Sequence, residues 1–94
     1  MSLKKFARAK DQVSADLNGE AAILGLSNGV YYGLNETGAR LWDFLSKPRT
    51  AGELCDLMTE EYGVEKSRCE RDVTALLKQM DKEGLVEIRI EPPA

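Results

Sequence analysis

The stretch from Val30 to Leu45, VYYGLNETGARLWDFL, constrains this chain more than any other. Its first half is β-branched and aromatic, which favours a pleated strand. Asn35 follows, and its side-chain oxygen can accept an early helix N–H and so start a helix there. Beyond it Gly38, Leu41, Trp42 and Leu45 fall at i, i+3, i+4 and i+7, a single apolar stripe. Trp42 is the one tryptophan and is expected in the middle of the core. The remaining residues must then supply a partner strand for YYGL or a partner helix for the tryptophan face.

The partner strands lie just upstream. In QVSADL, Val13, Ala15 and Leu17 alternate with polar residues, the pattern of a half-buried strand. Asn18-Gly19 is a type I′ hairpin signal, because both residues tolerate positive φ. Glu20 to Leu26 is almost continuously apolar and forms the return strand, and Ser27-Asn28-Gly29 turns the chain into a third strand, Val30 to Leu34. Two tight turns make an antiparallel meander whose third strand is an edge unless something covers it. Residues 1–10 place Lys4, Lys5, Arg8 and Lys10 around Phe6, and are expected to form a flexible arm.

Downstream, Lys47-Pro48-Arg49 breaks the chain. Thr50 and Glu53 form a T-x-x-E capping box. The second helix carries Leu54, Leu57 and Met58 and stops at Gly63. Glu65 or Ser67 caps the third helix, Ser67 with Glu70 making a second box. Along it Cys69, Val73, Leu76, Leu77 and Met80 repeat on one face. Gly84 ends it, and Val86, Ile88 and Ile90 alternate as a short strand or wing before a tail at 91–94. The expected order is β-β-β-α-α-α-β over one domain, residues 11–90. Three helices with a terminal β element suit a winged helix-turn-helix.

Composition narrows the chemistry. With 94 residues there is room for one core, and 31% charged residues mark a polar surface. A net charge of −3 argues against nucleic acid, which selects a basic footprint. From Glu65 to Glu83, Glu65, Glu70, Asp72, Asp81 and Glu83 balance Lys66, Arg68, Arg71, Lys78 and Lys82, so the last helix carries no phosphate-binding stripe. No segment nears the roughly 18 apolar residues that span a membrane. The opening MSLKKFARAK lacks the apolar run of a secretory signal. A cytoplasmic location is the expectation.

There is no histidine, which removes His-based triads and His-ligated metals. Cys55 and Cys69 sit in no zinc or redox spacing and read as small buried hydrophobes. The glycines match no phosphate or dinucleotide loop. Neither catalysis nor a cofactor or metal is expected. What remains is a binding surface, and an edge strand can accept an added peptide strand. In Val30-Tyr31-Tyr32-Gly33-Leu34, Val30, Tyr32 and Leu34 share one face, and Tyr31 and Gly33 the other. Gly33 leaves room for a close backbone approach. The alternative is that these residues only pack the domain. That suits Val30 and Leu34; for Tyr31 and Tyr32 the two roles stand level.

The residues YYGLNETGARLW, with NGEAAILGL before them, PRTAGELCDLMTEEYGV after them and KEGLVEIR closing the last helix, resemble the PqqD-like family. The likeness covers about Gln12 to Arg89, and YYGLNETGARLW is its most specific part. It implies an α+β winged-helix module that recognises the leader segment of a ribosomally synthesised precursor peptide. Such a RiPP recognition element presents the leader to a leader peptidase or other modifying enzyme. Similar members grip it between the third strand and the third helix. That carries binding roles onto Val30, Tyr31, Tyr32, Gly33 and Leu34 on one wall, and onto Val73, Leu76, Leu77 and Met80 on the other. Arg68, Arg71, Asp72 and Lys78 flank the helix stripe as charges that could meet a leader. At each helix position core packing competes with this role, and the stripe is expected to be shared. The chain looks most like stand-alone members from lasso-peptide systems. A peptide chaperone of pyrroloquinoline quinone biosynthesis, partnering a radical-SAM enzyme, is the alternative. A DNA-binding regulator and a dimerisation module built on the open strand are the others. A monomer or weak dimer is expected.

Overall fold

The computed structural model describes residues 3–92 as six strands and three helices in two antiparallel sheets. One sheet is the expected meander, in the order β2 (Gln12–Leu17), β3 (Glu20–Gly25), β4 (Tyr31–Leu34). Asn18 at φ +56° and Gly19 at φ +87° turn β2 into β3 with both residues at positive φ. The expected third strand is therefore β4, but it begins one residue late. Val30 precedes it, with its carbonyl accepting from Gly25 N–H at 3.0 Å.

The helices are α1 (Glu36–Phe44), α2 (Ala51–Tyr62) and α3 (Lys66–Lys82). Asn35 caps α1 by accepting from the Gly38 N–H at 2.9 Å. Gly63, at φ +63°, closes α2 in the left-handed conformation that glycine adopts without strain. Glu65 takes the cap position of α3 without a side-chain bond to the helix. The Ser67 box does not form, because the Ser67 hydroxyl donates instead to Glu65 Oε1. Leu41, Trp42, Leu45, Leu54, Met58, Val73, Leu77 and Met80 form the core together with Ile23. The fold is α+β and winged-helix-like, as the pattern of elements implied.

At Thr50 the capping box is complete. Glu53 N–H donates to Thr50 Oγ1 at 3.1 Å, and Thr50 N–H donates to Glu53 Oε1 at 2.8 Å. The backbone bond from Thr50 holds the Glu53 carboxyl below the ordinary carboxylate range. A depressed folded-state pKa means that this contribution is present at neutral pH and lost as the pH falls through the ordinary glutamate value and below. Replacing Thr50 with alanine should cost about 1 kcal/mol, read from urea unfolding at neutral pH. Replacing Glu53 with alanine removes the acid-sensitive bond instead, and the penalty of that variant should shrink on acidification below about pH 4.

Two expectations are corrected. The first is the flexible arm. Leu3–Arg8 is a strand, β1, at the centre of the second sheet, between β5 (Arg49–Thr50) and β6 (Val86–Glu91). Lys5 lies opposite Arg89 and bonds Glu91 at 3.1 Å, while Phe6 and Ala7 are buried on opposite faces of the strand. The basic residues of the arm meet an acidic, apolar strand some eighty residues away in sequence. The expected wing is that partner strand, and it takes in Glu91 from the expected tail. Residues 1, 2, 93 and 94 lie outside the described residues.

The second correction concerns which face of β2 is inward. Val13 is 52% and Leu17 58% exposed, with Ala15 exposed between them. Ser14, opposite the fully buried Ile23, faces the molecule instead. Every residue from Val13 to Leu17 is exposed, so the expected half-burial is absent; on the face turned toward the molecule, Ser14 Oγ accepts the indole N–H of Trp42 at 3.1 Å, a partner that a buried indole requires.

Candidate functional site

The open edge of the meander can be assigned group by group. In an antiparallel pair, opposed residues alternate between those that exchange hydrogen bonds and those that do not. Gly25 N–H bonds the Val30 carbonyl, and Ile23 opposes Tyr32 while Ala21 opposes Leu34. Tyr32 and Leu34 therefore bond toward β3. Tyr31 and Gly33 turn their N–H and C=O groups away from β3, toward the uncovered side. Among the described residues no further strand of this sheet lies there.

Beside that edge lies a groove of about 340 Å³, lined by all four β4 residues and by Leu76, Gln79, Met80, Glu83 and Leu85. One wall is β4 and the other the second half of α3, the two elements named from the family resemblance. Leu76 is half-buried, and Tyr32 and Leu34 pack against the core. Tyr31 is 73% exposed, with its side chain on the outer face of the sheet. A Cβ built at Gly33 would meet no atom within 4 Å. The packing of this chain does not itself require a glycine there.

Of the candidate residues, the structure brings Tyr31, Tyr32, Gly33, Leu34, Leu76 and Met80 together around the groove. Val73, Leu77 and Met80 belong to the core, Leu77 being 2% and Met80 1% exposed, so of the third-helix stripe half-buried Leu76 is the residue presented to the groove, with Met80 at its floor. Arg71 and Lys78 are not brought in. At 100° per residue they lie roughly 140° and 160° around the helix from Leu76, on its opposite side. Val30 stands at the turn, outside the groove lining. Sequence reasoning missed Gln79, Glu83 and Leu85. Gln79 and Glu83 follow Leu76 at i+3 and i+7, so helical spacing alone would have found them once polar residues were admitted to the wall.

The chemistry available is that of recognition. Main-chain donors and acceptors face an apolar trough with a polar far rim of Gln79 and Glu83. Among the described residues no group of three or more His, Cys, Asp or Glu side chains is placed to hold a metal ion, and no helix is long and apolar enough to cross a membrane. Cys55 and Cys69 are free and buried, with the Cys69 thiol directed at the Cys55 carbonyl at 3.7 Å. Burial pushes the Cys55 thiol up to about 11, so it stays protonated at neutral pH. In the folded protein at pH 8, Cys55 should resist a thiol-alkylating reagent that labels it readily in denaturant. Fast labelling without unfolding, read by peptide mass, would contradict this burial.

A winged-helix-like domain with an open strand edge beside an apolar groove defines a structural class, and the comparisons place this chain within it. Residues 20–86 match the family model described as coenzyme PQQ synthesis protein D (PqqD), and the chain belongs to that family. Two solved structures resemble it over most of its length. One is TbiB1 in complex with the TbiA(beta) leader peptide, with a TM-score of 0.81 and 31% identity, covering 86% of this chain and 94% of that one. The other is a lasso peptide synthetase B1 complexed with the leader peptide, with a TM-score of 0.77 and 26% identity, covering 87% and 96%. No curated protein matches.

Proposed function

We propose that this protein recognises the leader segment of a ribosomally synthesised precursor peptide and hands it to a maturation enzyme, without catalysis of its own. The observation that carries this reading is the open β4 edge, whose Tyr31 and Gly33 backbone groups face an apolar groove. Both structural neighbours are leader-peptide complexes, and each resembles this chain over more than four-fifths of its length. In this reading the leader lies as a further strand beside β4, with alternate side chains reaching toward Leu76 and Met80. Main-chain pairing supplies affinity with little sequence preference, so the groove side chains supply selectivity.

The lasso peptide synthetase B1 neighbour favours a lasso-peptide pathway, and the family resemblance implies a leader peptidase as the receiving enzyme. The PqqD family match supports a second reading, a peptide chaperone serving a radical-SAM enzyme of quinone-cofactor biosynthesis. The genes beside this one separate the two: a peptidase and an ATP-dependent cyclase for the first, a radical-SAM enzyme for the second.

Calorimetric titration with the synthetic leader of the adjacent precursor should give one-to-one binding at micromolar affinity or tighter, about −8 kcal/mol or better. A folded protein that takes up no such leader would overturn the reading.

A further inference from the structure

The second sheet has an open edge of its own. Its order is β5-β1-β6, so β6 pairs with β1 on one side, and among the described residues no strand of this sheet lies on the other. Ala9 and Leu85 continue the β1–β6 register, and the Ala9 N–H donates to the Leu85 carbonyl at 2.9 Å. Hydrogen-bonded pairs alternate along an antiparallel ladder, so Glu87, Arg89 and Glu91 bond toward β1 as Leu85 does. Val86, Ile88 and Ile90 therefore turn their N–H and C=O groups outward. Ile88 is 39% and Ile90 63% exposed. The register with β1 runs unbroken from Leu3–Glu91 to Arg8–Val86, and β6 holds neither lysine nor proline, so it lacks a bulge or residue that would blunt the edge. Its charges alternate in sign instead. Glu87 and Arg89 share one face, with their side chains 3.8 Å apart and both reaching solvent.

We infer that β6 is a self-pairing edge: a second copy of this chain docks on it as an antiparallel strand, about a two-fold axis at Ile88. The inference is independent of the leader-binding reading. Backbone and charge select the same register. A two-fold between residues would set outward-turned groups against inward-turned ones, so the axis falls at a residue. Centred on Arg89, it opposes Arg89 to its own copy and Glu87 to the partner's Glu91. Centred on Glu87, it opposes the two Glu87 carboxylates. Like charges directly opposite are destabilising in both cases. Centred on Ile90, it sets Ile88 against the partner's Pro92, which has no N–H to give. Centred on Val86, it carries Ile90 past the start of the partner strand. Only at Ile88 do all terms agree. Ile88 then exchanges bonds with its copy and Val86 with the partner's Ile90, while Glu87 faces the partner's Arg89 and Arg89 the partner's Glu87. On the closed side Arg89 is opposed by Lys5, a like charge, so the open side is where a carboxylate opposite it gains most. The contact is isologous, so it closes as a dimer rather than a filament. Leu85, which lines the groove beside β4, would lie opposite the partner's Glu91, setting the two grooves about 20 Å apart along the strand.

The test is sedimentation velocity of the intact protein, without leader, from about 1 to about 500 µM. The wild type should pass from monomer to dimer with a dissociation constant of roughly 10–100 µM, the scale of a small, transient interface. Arg89→Glu sets a glutamate against the partner's Glu87, and Glu87→Arg sets two arginines together. Each change should weaken the dimer at least about tenfold. Both side chains reach solvent, so the circular dichroism spectrum should stay native. Mixing the two variants restores opposite charges in both cross-strand pairs, and the mixture should form a heterodimer within a few-fold of wild-type strength. The double variant, with both charges reversed, should pair with itself equally well. A merely structural effect of either substitution would not be rescued by mixing. A wild-type protein that stays monomeric throughout, a dimer indifferent to both charge changes, or weakened variants that mixing does not restore would each overturn the self-pairing. A dimer lost in Gly33→Pro but kept in both charge variants pairs through β4, and the assignment to β6 is then wrong. None of these outcomes touches the leader-binding reading, which the titration above tests on its own.

Discussion

Replacing Trp42 with alanine should remove about 3–5 kcal/mol of stability, the range for truncating a large buried aromatic. Trp42 is 2% exposed and joins three parts of the molecule. Its indole N–H donates to Ser14 on β2, and its ring packs in the core shared by α1, α2 and α3. The Arg8 guanidinium of β1 lies 4.6 Å from the ring centroid and donates to the Trp42 carbonyl at 2.7 and 3.1 Å. Truncation therefore leaves a cavity and strips Arg8 of its aromatic partner. Small domains hold about 5–15 kcal/mol in total. A loss of this size should lower the melting temperature by somewhere between about 10 and 40 °C. Trp42→Phe keeps most of the volume and gives up only the bond to exposed Ser14, so it should cost well under half as much. An alanine variant melting within a few degrees of wild type would place the residue outside the core.

How far such features are legible in the sequence depends on how local their causes are. The Asn18-Gly19 turn, the Asn35 cap and the Thr50–Glu53 box each need only residues within one turn of chain, and all three form as read. The groove wall of α3 was partly legible, because helical periodicity fixes which residues share a face. Leu76 and Met80 follow from it, and so would Gln79 and Glu83 had polar residues been considered. Arg71 and Lys78 were chosen for charge rather than angle, and they stand on the far side of the helix.

What was not legible depends on distant partners. β1 looks like a basic arm until Val86–Glu91 is set against it, and no local pattern pairs strands that far apart. The alternation of β2 defines two faces but not which one is inward. The need of Trp42 for a hydrogen-bond acceptor decides that, turning Ser14 toward the molecule and Val13, Ala15 and Leu17 away from it. The edge position of β4 was legible because two tight turns in succession leave few other arrangements. The role of Gly33 was visible only as a residue type. Its backbone direction emerges from the Gly25–Val30 hydrogen bond.

That direction makes Gly33→Pro the substitution with the largest expected effect on binding. Proline removes an N–H and places a ring where it stood. In a strand interior that usually breaks a ladder bond, but at Gly33 the N–H points away from β3, and the bonds to β3 rest on Tyr32 and Leu34. Tyr32 is in a strand, the conformation that a residue before proline favours. The fold should therefore survive, with a near-native circular dichroism spectrum, while the edge loses a donor. A leader strand laid beside β4 would then forfeit one hydrogen bond and leave its own carbonyl unpaired against the ring. Together these cost at least about 2 kcal/mol, or roughly thirtyfold in affinity. Gly33→Ala separates this from bulk, since a Cβ there meets nothing within 4 Å and the N–H is kept. It should bind within a few-fold of wild type. Tyr32→Pro is the reverse control: its N–H is committed to β3, so the damage should appear in stability before it appears in binding. If folded Gly33→Pro binds the leader as tightly as wild type, the peptide is not held as an added strand on β4.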